Sequence, residues 1–238
     1  MAEKQKCMII GASPIPGKKI FLEYPPADYF IICADGGYET AVTFDIQPDL
    51  VVGDFDSASQ MPPKTMKCLS LPVEKDVTDT MFAVMKGLTK GFRDFVLLGC
   101  LGGQRFDHSI ANLEVLQFLT DHGAKGVLAD EHTKVFVIRD SRLRLSQMKG
   151  TTVSVFPYNG ATCNVSYDGL EYPLNHETLT CGGTLMGVSN RVNADLAEIR
   201  VHTGTALVTL TNRNNFYISC IYWNKRAKPS DRKRRCST

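Results

Sequence analysis

Aspartates recur at four points of the sequence, each in or soon after a short apolar stretch that is typical of a buried strand. The four motifs are Ala34-Asp35-Gly36-Gly37, Gly53-Asp54-Phe55-Asp56-Ser57, Asp76-Val77-Thr78-Asp79 and Gly102-Gly103-Gln104-Arg105-Phe106-Asp107. Parallel strands of an open sheet end along one edge, so residues far apart in the sequence can converge there. Carboxylates that meet in one crevice repel each other unless a cation neutralises them, and Mg²⁺ favours oxygen ligands together with substrate phosphates. The motifs therefore predict metal-assisted phosphoryl chemistry.

The pair Asp54 and Asp56 is the best candidate for metal ligation. The two residues follow the predicted strand Leu50–Gly53, and in an extended backbone their side chains project to the same side. Two adjacent carboxylates at a strand end suit a magnesium ion that bridges to phosphate oxygens. An isolated motif of this kind is more often a polar turn with capping aspartates. Its place after an apolar strand, with further acidic motifs elsewhere, favours the metal interpretation.

Asp35, Gly36 and Gly37 close one predicted strand and open a helix. Two glycines there let backbone amides approach a ligand closely, and a helix N-terminus favours phosphate. A simple tight connection between strand and helix is the structural alternative. Thr78 begins the next helix, where an N-cap role is the plain explanation, with Asp79 complementing the helix dipole.

The segment from Gly102 to Asp107 joins a strand to a long helix. Gly102 and Gly103 allow close approach of a ligand to the backbone, and the guanidinium of Arg105 can bind two phosphate oxygens at once. Asp107 could bind metal or act as a nucleophile. Taken alone, the segment could also be a capped helix start.

One phosphate-binding motif is rejected. The segment Gly11–Lys19 resembles a P-loop, but it has five residues between its glycines, two prolines, and lysine where Ser or Thr should hold Mg²⁺. If ATP binds, it binds without that cradle.

Apolar runs predict strands in the first 135 or so residues, and helix-like periodicity lies between them. The predicted strands are Lys6–Gly11, Tyr29–Ala34, Leu50–Gly53, Lys67–Leu71 and Phe95–Cys100. The predicted helices are Tyr38–Phe44, Thr78–Thr89 and Phe106–Asp121. In the last helix, one apolar stripe is expected at Phe106, Ile110, Leu113, Leu116 and Thr120. Apolar strands alternating with helices are typical of a parallel sheet covered on both faces.

The pattern changes after about Ile138, where only short β-branched and aromatic runs follow. Predicted strands there are Thr151–Phe156, Cys163–Tyr167, Ile199–His202, Ala206–Thr211 and Phe216–Tyr222. Their spacing is typical of a β-sandwich or jelly roll. We therefore expect an α/β domain with a mainly parallel sheet at residues 1–139 and an all-β domain at residues 140–224.

Composition narrows the class of protein. Of 238 residues, 43% are apolar and 22% charged, which is ordinary for a soluble globular protein. No apolar run is long enough to span a bilayer, and no signal-peptide pattern begins the chain, so a cytoplasmic location without membrane contact is expected. The eight cysteines form no C-x-x-C pair, which predicts reduced thiols and no structural metal. Residues 225–238 form a basic stretch without a stacking platform, so we expect a disordered tail and no nucleic-acid partner.

Taken in order, the motifs closely resemble those of thiamine pyrophosphokinases. The segments Gly169-Leu170-Glu171-Tyr172-Pro173-Leu174 and Gly187-Val188-Ser189-Asn190 fit the same family. The resemblance extends to about Asn224. It implies an α/β domain that binds ATP and Mg²⁺, a β-sandwich that binds thiamine, and a homodimer with thiamine between subunits. It also implies transfer of the terminal pyrophosphoryl group of ATP to the hydroxyl of thiamine, which leaves AMP.

The resemblance also implies roles for individual residues. The magnesium ligands are expected to be Asp54, Asp56 and Asp79, with Asp107 as a further catalytic group. Nucleotide-binding residues are expected to be Asp35, Gly36, Gly37, Gly102, Gly103 and Arg105. Thiamine-site residues are expected to be Tyr172, Ser189, Asn190 and Lys75. Tyr172 stands where animal members carry tryptophan, and Lys75 stands where they place a glutamine near thiamine. The positive charge of Lys75 favours contact with phosphate rather than with the cationic thiazolium.

Three other functions remain open at this point. Asp54 could be the nucleophile of a haloacid-dehalogenase-like phosphatase, although such motifs normally lie on the first strand and here two strands precede it. A nucleotide-sugar transferase with a metal-binding aspartate pair is possible, but no acceptor signature is present. A non-catalytic thiamine- or nucleotide-binding module is the third.

Overall fold

A computed structural model describes residues 4–53, 62–63, 65–69, 77–212 and 220–225 of the chain. The chain forms two compact units. The first comprises the described residues up to Val137, and the second runs from Ile138 to Asn212 and includes the last strand. None of the described helices is both long and apolar enough to cross a membrane.

The first unit alternates strands and helices. Its strands are β1 (Lys6–Ile10), β2 (Tyr29–Ala34), β3 (Leu50–Val52), β4 (Cys68–Leu69), β5 (Asp94–Leu98) and β6 (Lys125–Ala129), and β7 (Thr133–Arg139) begins in it. Its helices are α1 (Ile20–Glu23), α2 (Gly37–Thr43), α3 (Asp79–Thr89) and α4 (Phe106–Asp121), and a 3₁₀ turn spans Pro26–Asp28. The strands β1, β2, β3, β5 and β6 are almost entirely buried, as is usual for a parallel sheet that is covered on both faces.

The order of strands explains where a ligand can bind. The order is β7-β6-β5-β1-β2-β3-β4, and every pair is parallel except β6 with β7. The chain adds β2, β3 and β4 on one side of β1 and then returns to add β5 and β6 on the other. The switch point of the sheet therefore lies between β1 and β5. In open α/β sheets, ligands bind at such a point, outside the carboxyl ends of the strands.

Only part of the apolar stripe predicted for helix α4 is buried. Leu116 and Thr120 are buried as expected, but Phe106 is 76% exposed and Ile110 is 48% exposed. The buried side chains lie mostly in the second half of the helix, where α4 contacts β6. The first turns of α4 border the cavity described below instead of the sheet, since His108 and Asn112 line that cavity.

The second unit is all-β. Its strands are β8 (Ser141–Ser146), β9 (Thr152–Pro157), β10 (Thr162–Asp168), β11 (Leu174–Thr180), β12 (Gly187–Arg191), β13 (Leu196–Thr203), β14 (Thr205–Thr211) and β15 (Cys220–Lys225). They pair antiparallel in the orders β11-β10-β13-β8-β15 and β12-β9-β14. Alternate residues of β8 are buried, among them Leu143 and Leu145, which is the pattern of a sheet with one core face. The predicted fold class, an α/β domain followed by a β-sandwich, is confirmed.

A buried ion pair ties helix α1 to strand β7 in the first unit. The ammonium of Lys134 contacts the carboxylate of Glu23, and the two side chains are 1% and 18% exposed. Removing one partner of a buried pair leaves the other charge uncompensated in a poorly hydrated position. We expect Lys134→Met to lower the free energy of unfolding by about 3 kcal/mol, measured by urea denaturation.

The half-exposed pair of Lys4 and Asp49 is the matched control. Its side chains are 36% and 31% exposed, and Lys4→Met should cost less than about 1 kcal/mol because water screens surface pairs. Equal losses for the two variants would contradict the assignment of Lys134 as a buried, structural charge.

Candidate active site

An open cavity of about 570 Å³ lies at the carboxyl ends of the parallel strands. Its walls come from the loops after β1, β2 and β5, from the start of α3 and from the first turns of α4. Of the predicted residues, Asp35, Asp79, Gly102, Gly103 and Arg105 line it. Three other cavities lie near the amino ends of the strands, and their lining residues include Phe30, Ile31 and Asp49. None of the predicted site residues that the structure describes lines these three cavities. These five predicted residues thus lie at one edge of the sheet, whereas Asp107 is not among the residues that line the cavity.

Asp35 is held where β2 ends. Its backbone is left-handed, with φ of 48°, a conformation that aspartate tolerates better than most residues. The Asp35 amide donates to the carbonyl of Val52 on β3 at 2.8 Å. The backbone of Gly53 packs so closely that a Cβ there would lie 3.2 Å from Cα of Asp35. The end of β3, which leads to Asp54 in the sequence, therefore lies against Asp35.

Asp79 enters the cavity because it is the first residue of α3. Thr78 is the N-cap, and its Oγ1 accepts from the amide of Met81 at 3.2 Å. The capping explanation of Thr78 therefore holds, while Asp79, directly after it, lines the cavity.

The segment after β5 forms a glycine turn that leads into α4. Gly102 and Gly103 have φ of 69° and 81°, values that favour glycine because a Cβ would be strained there. The Gly102 amide donates to Oγ of Ser109 at 3.0 Å. This turn brings Arg105 to the rim of the cavity.

Arg105 and Asp107 form a two-point ion pair. Nε and Nη2 of Arg105 donate to the two carboxylate oxygens of Asp107 at 2.9 and 2.6 Å. Their side chains are 66% and 63% exposed. Hydrogen bonding to Arg105 lowers the pKa of Asp107 to about 2. Asp107 is therefore a weak base while this pair is intact.

Removal of the guanidinium should release the Asp107 carboxyl. In the native chain we expect the Asp107 carboxyl to titrate near a pKa of about 2, and in Arg105→Gln to move up toward its ordinary 3.8. Carboxyl-carbon NMR on the folded protein measures both midpoints. Because its pKa is lowered, the Asp107 carboxyl is ionised at neutral pH and the ion pair with Arg105 is fully formed. The pair is lost only as the pH falls through the pKa of Asp107 in the folded protein.

Arg93→Gln is the control for this titration. Its guanidinium donates to the carbonyls of Leu88 and Phe92, so its loss should leave the Asp107 midpoint in place. An Asp107 midpoint that stays the same in Arg105→Gln would contradict the pairing.

Gly36 and Gly37 do not line the cavity, within the residues that the structure describes. A Cβ on Gly37 would lie 1.9 Å from the carbonyl oxygen of Ile10 on β1, and one on Gly36 would lie 3.2 Å from Cβ of Ala12. Gly37 is therefore explained first by the packing of α2 on the end of β1, whereas a Cβ on Gly36 would meet a side-chain methyl group as its nearest contact.

Three predicted residues, Asp54, Asp56 and Lys75, lie outside the described residues. Among the side chains that the structure does describe, no group of three or more His, Cys, Asp or Glu is arranged to hold a metal ion. Asp54 and Asp56, two of the three expected magnesium ligands, are not among the described side chains.

The predicted thiamine residues lie in the second unit, and two of them are joined. Oδ1 of Asn190 accepts from the Tyr172 amide at 3.0 Å, and Nδ2 donates to the Tyr172 carbonyl at 2.7 Å. Oδ1 also accepts from the amide of Arg191. Asn190 is 6% exposed and Tyr172 is 65% exposed. The buried amide of Asn190 thus fixes the backbone of Tyr172 and leaves the phenol ring open to solvent.

Ser189 lies at an irregularity of strand β12. The register of β12 on β9 shifts between Gly187 and Asn190, and Ser189 has φ of 58°. Its amide donates to Oγ of Ser154 at 3.1 Å.

Sequence reasoning missed several residues of the cavity wall, chiefly Ser13, His108 and Asn112. Nδ2 of Asn112 donates to the carbonyl of Cys100 at 2.8 Å and so holds the segment after β5. His108 and Asn112 are four residues apart on one face of α4. Counting one helical turn forward from Asp107 and His108 would therefore have found Asn112.

Comparison with known proteins identifies the family. A family model described as "Thiamin pyrophosphokinase, catalytic domain" matches residues 23–128, and one described as "Thiamin pyrophosphokinase, vitamin B1 binding domain" matches residues 140–208. The chain belongs to the thiamin pyrophosphokinase family. The first match contains Asp35, Asp79 and Arg105 of the cavity, and the second contains Tyr172 and Asn190.

Individual thiamin pyrophosphokinases are similar to this chain along most of its length. The thiamine pyrophosphokinase of Bacillus subtilis (strain 168) is 27% identical over 168 residues, which cover 68% of this chain and 77% of that protein. A crystal structure of the Bacillus subtilis enzyme superposes with a TM-score of 0.77 at 22% identity, covering 87% of this chain and 99% of that one. The Candida albicans enzyme gives a TM-score of 0.71 at 17% identity, covering 87% and 89%.

The resemblance drawn from the sequence motifs is therefore confirmed, and so is the predicted function. The chain is an enzyme that transfers a pyrophosphoryl group in the formation of thiamine diphosphate. Its family membership favours neither the phosphatase that would use Asp54 nor a non-catalytic binding module.

Proposed function

We propose that ATP is the pyrophosphoryl donor, that Mg²⁺ assists the transfer, and that the products are thiamine diphosphate and AMP. One observation carries the proposal: Asp35, Asp79, the Gly102–Gly103 turn and Arg105 line a single cavity at the switch point of the sheet. We assign ATP and Mg²⁺ to residues 1–139 and thiamine to residues 140–224.

The cavity offers what a triphosphate requires. Attack on the β-phosphorus builds charge on the equatorial oxygens and on the departing α-phosphate oxygen, so positioning and electrostatics supply most of the rate. A Cβ on Gly102 would meet no atom within 4 Å, so the backbone there is open to a ligand. The exposed guanidinium of Arg105 can exchange its carboxylate partner for phosphate oxygens.

The donor set of the cavity fits a hard cation. Two aspartates, Asp35 and Asp79, are among the residues that line it, and carboxylate oxygens are the ligands that Mg²⁺ takes in phosphate sites. Asp54, Asp56 and Asp79 would hold the ion. When bound, Mg²⁺ would offset the negative charge of the phosphate groups.

The ion pair of Arg105 and Asp107 gives the site a way to raise the basicity of a carboxylate. While Arg105 is bound to it, the pKa of Asp107 is about 2, too low to accept a proton from an alcohol efficiently. If phosphate draws Arg105 away, the pKa of Asp107 rises toward its ordinary value. Asp107 then becomes the better acceptor for the hydroxyl proton of thiamine.

The second unit supplies the thiamine contacts in this proposal. The exposed ring of Tyr172 stacks on an aromatic ring of thiamine, and Asn190 positions Tyr172 through its backbone. Ser189 contacts the aminopyrimidine, and Lys75 contacts phosphate. We further propose a homodimer with thiamine at the subunit interface, supported by exposed apolar side chains in β12 and just before it, namely Leu185, Met186 and Val188.

Product analysis tests the reaction. The purified chain is incubated with ATP, Mg²⁺ and thiamine, and AMP is separated from ADP. We expect AMP in the presence of thiamine and none in its absence. ADP as the nucleotide product, or AMP formed equally well without thiamine, would overturn the proposal.

A further inference from the structure

The loop that follows β1 is a wall of the active-site cavity, although its sequence does not fit a P-loop. Ala12, Ser13 and Pro14 line the cavity. The switch point of the sheet lies between β1 and β5, so the loops after these two strands face each other across the crevice. A ligand that binds in the crevice therefore meets the β1 loop as well as the glycine turn after β5.

The backbone fixes Ser13 beside that glycine turn. The Gly11 amide donates to the carbonyl of Leu98 and the Ser13 amide to the carbonyl of Gly99, both at 2.8 Å. A Cβ on Gly103 would lie 3.2 Å from Oγ of Ser13. The backbone thus holds Ser13 against the turn and at the cavity wall, whether or not its hydroxyl keeps its own hydrogen bond.

That hydrogen bond is one the side chain can give up. Oγ of Ser13 donates to the carbonyl of Gly102 at 3.2 Å, in an exposed position. Oγ of Ser109 lies 3.4 Å from the same carbonyl and already accepts from the Gly102 amide at 3.0 Å. Rotation of the Ser13 hydroxyl leaves the Gly102 carbonyl with Ser109 and with solvent.

We propose that Ser13 is a phosphate-binding residue whose hydroxyl turns from the Gly102 carbonyl to a phosphate oxygen when a nucleoside polyphosphate enters. A hydroxyl hydrogen bond to an anionic oxygen is shorter and stronger than one to an exposed, neutral carbonyl, so the exchange favours the bound state. The inference rests on the proposed function, because it takes ATP as the ligand of this cavity.

Nucleotide affinities measured by titration calorimetry test it, with Mg²⁺ present and thiamine absent. We expect Ser13→Ala to weaken ATP binding about tenfold, the size of one charge-assisted hydrogen bond, and to leave adenosine binding unchanged. Ser13→Thr keeps a hydroxyl at the same position and should bind ATP within about threefold of the native chain.

Ser109→Ala is the matched control because it removes the other hydroxyl on Gly102 and does not line the cavity. We expect it to change ATP affinity by less than about threefold, since water can replace an exposed hydrogen bond. If Ser13→Ala and Ser109→Ala weaken ATP equally, Ser13 only supports the turn and the inference is wrong. A Ser13→Ala variant with native ATP affinity, or with an equal loss for adenosine, overturns it too.

These outcomes are separable from failure of the proposed function. A native chain that binds ATP and forms AMP, combined with an unaffected Ser13→Ala, overturns the Ser13 role alone. A native chain that binds no ATP overturns both.

Discussion

Asp79→Asn is expected to lower turnover by about a thousandfold while the protein stays folded. Asparagine keeps the size and one oxygen of aspartate but loses the charge with which Asp79 would hold the proposed magnesium ion. Removal of a single group that stabilises transition-state charge typically costs a factor of roughly a hundred to a thousand in turnover, and loss of a metal ligand acts on every turnover. Asp79 is one of the residues that line the cavity.

The fold should tolerate this change because Asp79 is not the cap of its helix. Thr78 accepts the hydrogen bond from Met81, so α3 keeps its N-terminal anchor. The lost interaction with the helix dipole amounts to about 0.5 kcal/mol. We therefore expect a melting temperature within a few degrees of the native value and a changed kcat, both of which are measured on the same preparation.

Asp94→Asn is the matched control for charge and size. Asp94 is exposed and begins β5, at the opposite end of the strand from the cavity, so its neutralisation should leave kcat within about twofold. If Asp79→Asn kept more than a tenth of native turnover, Asp79 would not be a metal ligand of this enzyme.

Short-range patterns were sufficient to predict the elements that carry the site. Strand β2 and helix α4 have the bounds that apolar runs and periodicity predict, although only part of the predicted apolar stripe of α4 is buried. Strand β6 was missed because Gly126 interrupts its apolar run. A Cβ on Gly126 would lie 2.5 Å from Cδ1 of Leu119, so this glycine is needed by the packing of α4, which local patterns do not reveal.

Two edge strands, β11 and β12, were not predicted, for a different reason. Strand β11 is exposed at most of its positions, and it lies at the edge of its sheet. An edge strand with few buried side chains has no alternation of apolar and polar residues to detect. Strand β12 is also an edge strand, and its shift in register at Ser189 breaks the period of two.

The residues of the candidate site likewise divide into those that local patterns predict and those that depend on long-range contacts. The aspartates, the glycine turn and Arg105 could be singled out because each follows an apolar run, and the carboxyl ends of parallel strands share one edge. The place of Ser13 in the cavity wall could not be predicted, because it depends on β5 lying next to β1, and the order of strands is a long-range property of the chain. The P-loop pattern, which Gly11–Lys19 does not fit, describes only one kind of phosphate site.

Gly37→Ala is expected to prevent stable folding, and Gly36→Ala to be tolerated. A Cβ on Gly37 would lie 1.9 Å from the carbonyl oxygen and 2.6 Å from the carbonyl carbon of Ile10. Strand β1 is hydrogen-bonded to β2 on one side and to β5 on the other, so its backbone has no room to retreat. Forcing a methyl group against a fixed backbone belongs to the overpacking changes whose cost reaches about 4 kcal/mol or more.

The neighbouring glycine makes the comparison decisive. A Cβ on Gly36 would meet Cβ of Ala12 at 3.2 Å, and its φ of −54° is one that alanine adopts readily. We expect Gly36→Ala to cost less than about 1.5 kcal/mol. Circular dichroism during urea unfolding measures both variants.

The two outcomes separate structure from ligand binding at this motif. If Gly37 served only to bring its amide close to phosphate, Gly37→Ala would fold normally and lose nucleotide affinity. If it is required by the contact of α2 with β1, as the distances indicate, the folded state itself is lost, and with it the position of Asp35 two residues earlier. A Gly37→Ala protein with native unfolding behaviour would show that this contact relaxes, and would return the glycine pair to the nucleotide-binding role that its sequence first indicated.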